Sequence, residues 1–97
     1  MSRQEIIDKL KAHKEELRRL GVASLAVFGS AARDETVPGS DIDLLIEFDR
    51  AVGVFHFFTV KHRLEEILGV SEIDMVQRGA LHPALRDLIL AEAVNVD

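Results

Sequence analysis

Leu25-Ala26-Val27-Phe28 is a run of four apolar residues that breaks off at Gly29-Ser30. Side chains of a strand alternate between its two faces, so an unbroken apolar run suits a strand covered on both sides. The rest of a 97-residue chain must supply those covers. Ser2 with Glu5 three residues later forms a capping-box signature, and Ile6, Leu10, Leu17 and Leu20 recur at helical spacing up to Gly21. Val54–Leu68 repeats the pattern and ends at Gly69, with Phe57, Val60, Leu64, Ile67 and Leu68 on one stripe. A last helix starts near Pro83 and carries Leu85, Leu88, Ile89 and Ala93. Asp41–Phe48 alternates through Ile42, Leu44, Ile46 and Phe48 as a second strand, and Glu72–Gln77 repeats its texture as a third. Residues 31–36 read as a short helix or turn, and Val37-Pro38-Gly39 as a loop. The expected product is one α/β domain over residues 1–97.

Charge and composition narrow what such a domain does. The net charge of −5 argues against general nucleic-acid binding, which rests on cations that neutralise phosphates. With no cysteine there is no disulfide framework, cysteine zinc site or thiol nucleophile. No apolar run approaches the length of a membrane span, so the expected location is the cytoplasm, without a membrane partner. A chain this short holds one active site, and a partner is expected to bring the acceptor or the rest of the pocket.

Three features point to one site. Gly29-Ser30 follows a buried strand, where glycine permits a sharp turn and close approach of the backbone to a ligand, although such a pair is often only a turn. Asp41 and Asp43, two apart at the start of the second strand, project from one face and repel each other unless a cation lies between them. Their alternative is a solvated strand start. Asp74 stands between Ile73 and Met75, and completes a three-carboxylate cluster if the third strand lies beside the second; otherwise it faces solvent. Such a cluster suits magnesium, which prefers hard oxygen ligands and substrate phosphates.

The order Gly29-Ser30, ten residues, Asp41-x-Asp43, with a later Glu72-Ile73-Asp74-Met75-Val76, resembles the minimal nucleotidyltransferases of the DNA polymerase β-like superfamily. Arg78-Gly79-Ala80-Leu81 and Glu92-Ala93-Val94 extend the likeness to nearly the whole chain. The resemblance implies the polymerase β-like fold, here a small mixed three-stranded sheet flanked by about four helices. It also implies a nucleotidyltransferase that moves AMP from ATP onto a hydroxyl, a tyrosine in some members, of a HEPN-type RNase toxin. The chain would then act as that toxin's antitoxin. Asp41, Asp43 and Asp74 would be the catalytic residues and ligands of two Mg2+ ions, with Gly29 and Ser30 on the triphosphate. The competing readings are an antitoxin that works by binding alone and a nucleotide-binding module. Homo- or hetero-oligomers are compatible with all three.

Several residues stay two-sided. Arg33 either touches phosphate or braces the loop by pairing with Asp41 or Glu35. Ser40 either bonds the nucleotide or serves the strand entry. Asp34 stands where many relatives have glycine, which puts the local turn in question. The four histidines lack zinc-ligand spacing. Phe55 and Phe58 fall off the core stripe of their helix and form either an interaction patch or an irregular helix start tucked into the core.

Overall fold

The computed structural model of the chain describes residues 1–36 and 41–96. Ser2 caps the first helix as its spacing to Glu5 predicts. Its Oγ accepts the Glu5 N–H at 3.1 Å, and Glu5 Oε1 accepts the Ser2 N–H at 3.4 Å. The elements run α1 (Arg3–Ala12), α2 (Lys14–Arg19), β1 (Val22–Phe28), α3 (Gly29–Ala32), β2 (Ile42–Phe48), α4 (Val54–Leu68), β3 (Ile73–Gln77), a 3-10 turn (Arg78–Ala80), α5 (Pro83–Glu92) and β4 (Val94–Asn95).

Among the described residues the sheet has four strands, not three, in the order β3-β2-β1-β4. It is mixed: β1 is antiparallel to β2 and β4, whereas β2 and β3 are parallel. The extra strand is two residues long, too short for alternation to reveal it. Among the described residues there are five α-helices where about four were expected. The added one comes from a break at His13, whose φ of −110° and ψ of 19° leave the helical region. Leu10 and Leu17 nonetheless both reach the core, so the periodicity survives the break.

Alternation divides the sheet into two unlike faces. Leu25 and Val27 of β1, Ile42, Leu44 and Ile46 of β2, and Ile73 and Met75 of β3 join one apolar cluster. Ile6 and Leu10 of α1, Leu17 of α2, and Val60, Leu64 and Leu68 of α4 complete it. The residues between them on the strands, Ala26, Asp43, Leu45 and Asp74, turn to the other face. There α5 gives only partial cover: Leu90 and Ala93 border a hollow with Ser24, Ala26 and Leu45, and α5 contains no buried residue.

Three histidines have structural partners. His56 Nε2 donates to the Leu20 carbonyl at 2.6 Å, His82 Nδ1 accepts the Ala84 N–H at 3.1 Å to cap α5, and His13 meets Glu16 at 3.3 Å. Among the described residues no helix is long and apolar enough to cross a membrane.

Candidate active site

The parallel register of β2 and β3 sets Asp43 directly beside Asp74. The antiparallel register of β1 and β2 sets Phe28, the last residue before the glycine turn, beside Asp43. Three features far apart in sequence therefore meet at one end of the sheet. Gly29 is required there on two counts. Its φ of +67° disfavours any side chain, and a Cβ at this position would collide with Asp43 Oδ2. Ser30 follows it in the single turn of α3, half-buried. Behind the site, Glu65 of α4 accepts the Ile73 N–H at 3.1 Å and the Lys61 ammonium at 3.1 Å, which anchors β3 one residue before Asp74.

The electrostatics follow from this crowding. Burial, then the charge and hydrogen bond of Asp74, then the charges of Asp41 and Glu92, push the Asp43 carboxyl up to about 6. Each of those neighbours is an acid, so the site carries negative charge that a cation would relieve. Carboxylate oxygens are the donors a hard divalent ion takes, and the pairing of Asp43 with Asp74 fits one in chemistry. Among the described residues, however, no group of three His, Cys, Asp or Glu side chains is arranged to hold a metal ion. Asp41 lies exposed just before β2; Ser40 and residues 37–39, expected as a loop, fall outside the described residues.

Arg33, at the C-terminal cap of α3, meets Glu35 at 3.4 Å and Glu92 at 2.8 Å. Of its expected pairings the structure contains Glu35. The shorter contact, to Glu92, was not anticipated. Glu92 Oε1 also accepts the Gly29 N–H at 3.0 Å. A signal for this residue was available: a carboxylate in the last turn of a helix opposes the helix dipole and needs a partner elsewhere. Asp34 has a φ of +60°, the left-handed region that favours glycine. Its carboxylate accepts the Arg3 N–H at 2.9 Å, so the departure adds a cap to α1.

Phe55 is 88% exposed and Phe58 46% exposed on a regular helix that begins at Val54, so the tucked-in alternative fails. Phe57 packs partly against the core and meets the Phe58 ring edge-on at 5.5 Å between centroids.

Residues 10–95 match the family model described as a nucleotidyltransferase domain. A chain assigned as a protein adenylyltransferase in Methanocaldococcus jannaschii is 42% identical over 80 residues, covering 82% of this chain and 85% of that one. The protein adenylyltransferase MntA of Thermococcus cleftensis is 37% identical over 94 residues, covering 96% and 94%. A solved structure described as a minimal nucleotidyltransferase superposes with a TM-score of 0.83 at 34% identity, covering 97% of this chain and 95% of that one. The MNT antitoxin solved with a tri-AMPylated HEPN toxin of Shewanella oneidensis shares the fold, with a TM-score of 0.59 at 13% identity over 90% of this chain and 71% of that one.

Proposed function

This chain belongs to the nucleotidyltransferase-domain family, and on that premise we propose that it transfers AMP from ATP to a hydroxyl of a HEPN-type toxin, a tyrosine for preference, and so acts as the antitoxin. The observation that carries the reading is the meeting of the Gly29-Ser30 turn with Asp43 and Asp74 at one end of the sheet. The adenylyltransferase names of its relatives and the toxin complex of its structural neighbour support the donor and the partner.

In this reading Gly29 and Ser30 hold the triphosphate and Ser40 bonds the nucleotide. Asp41, Asp43 and Asp74 would hold Mg2+, two ions per site, and supply its hard oxygen ligands. Bound magnesium would neutralise the phosphates and polarise the reacting oxygens. The acceptor oxygen bonds to the α-phosphorus while the bond to the bridging oxygen breaks and pyrophosphate leaves with its electron pair. Asp74 takes the hydroxyl proton. Asp43 is suited to divalent binding because its ionised form is disfavoured without a cation: crowded by other acids, it gains more from one than an isolated carboxylate would. The domain works in the cytoplasm beside its partner and binds no nucleic acid stably.

The test mixes α-labelled ATP, magnesium, the toxin and the chain, with Asp43→Asn in parallel. Label on the toxin with the wild type alone is the expected result. A stable complex with no label from either chain would mean neutralisation by binding.

A further inference from the structure

We propose that Glu92, at the C-terminal end of α5, is a positioning residue that holds the Gly29-Ser30 turn for the nucleotide, and that Arg33 is its partner in this brace instead of a phosphate ligand. The inference rests on the nucleotidyltransferase reading above.

The argument starts from the shortness of α3. Four residues make a single turn, and an isolated turn of helix does not repay the entropy of forming it. Something outside must fix it. One carboxylate grips both of its ends: Glu92 Oε1 accepts the Gly29 N–H at 3.0 Å, and Oε2 accepts from Arg33 Nη1 at 2.8 Å. An ion pair between two partly exposed side chains contributes little alone. The bond to Gly29 differs, because a backbone amide has no rotamer by which to escape. It restrains the main chain where φ is +67° and where the glycine Cα lies against Asp43. Arg33, shared between Glu92 and Glu35, is already committed on the side facing α5. With the Gly29 N–H also taken, Gly29 serves the triphosphate through the shape of the turn, and direct contact falls to Ser30. The brace thus ties α5, which covers the open sheet face, to the turn that must meet the triphosphate.

The measurement compares wild type, Glu92→Ala, Glu92→Gln and Arg33→Ala in the full chain. Amide hydrogen exchange is followed over residues 29–33 without nucleotide, and KM for ATP and kcat are followed in transfer to the toxin. Glu92→Ala is expected to exchange faster over 29–33 and to raise KM about tenfold, the size of losing one hydrogen bond to a charged group, with kcat moved less. Glu92→Gln keeps an acceptor for the Gly29 N–H and is expected to recover most of that loss; it also serves if the alanine variant folds poorly. Arg33→Ala is expected to shift KM in the same direction by less. Unchanged exchange and unchanged KM in Glu92→Ala would overturn the brace. A lowered KM would overturn it too, making Glu92 an internal competitor of the phosphates. No transfer by the wild type would instead overturn the functional reading, and would take the catalytic meaning of the brace with it.

Discussion

The two faces of the sheet are made by the same strands and have opposite chemistry at the end where Asp43 and Asp74 meet. On the covered face Ile42, Leu44 and Ile46 are at most 3% exposed and packed by α1 and α4. On the open face the intervening Asp43 stands beside Asp74, and its carboxyl is pushed up to about 6. One face lowers the free energy of folding by removing apolar surface from water. The other raises it, through acids held together. The contrast teaches that one strand can serve stability and chemistry at once if its residues alternate, because a single register places both sets.

The sharpest way to break that division is to exchange roles across it. Asp43→Asn is expected to lower transfer on the order of a thousandfold, the scale of losing a preorganised charge at a reacting phosphate, with the fold intact by circular dichroism. On the covered face Leu44→Ala is expected to destabilise the chain by about 2–5 kcal/mol in denaturant titration, and to affect transfer only through unfolding. Gly29→Ala tests the seam between the faces. A side chain there meets both the positive φ and Asp43, so a loss of roughly 1–2 kcal/mol is expected together with most of the activity.

A subtler test uses pH. Because the folded-state pKa of Asp43 lies above its unfolded value of 3.8, the protonated acid favours folding. That contribution is complete below pH 4 and is lost as pH rises through about 6. Screened by solvent, it is worth on the order of 1 kcal/mol. Without metal, Asp43→Asn is therefore expected to melt higher than wild type at pH 7 and to lose that advantage near pH 4. The smallest effect on stability belongs to Phe55→Ser on α4, within about 0.5 kcal/mol, since the ring is 88% exposed. If the patch is an interaction surface, the same change weakens toxin capture in a pull-down.

Legibility followed physical length scale. Val54–Leu68 was readable to the residue because fifteen residues repeat one period and Gly69 closes it with a φ of +70°. Val22–Phe28 was readable because an apolar run met a glycine. β4 was not, since two residues cannot show a period, and the break at His13 leaves the apolar spacing on either side unchanged. The site divided in the same way. Gly29, Asp43 and Asp74 stood out as candidates because each interrupts a strong pattern. The last-turn carboxylate of Glu92 signals that it needs a partner but not which one, because its partners lie 59 and 63 positions away.

The lack of any buried residue in α5 has a consequence for how the molecule opens. A helix with so little stake in the interior is expected to open before global unfolding, which faster amide exchange over 83–92 than over α4 would show. When it lifts, Glu92 leaves with it and the Gly29-Ser30 turn loses its tether, while the covered face stays assembled. On that expectation the order of the site is a population set by one marginal helix: a chain folded by most probes would still have only part of its molecules ready to receive a nucleotide.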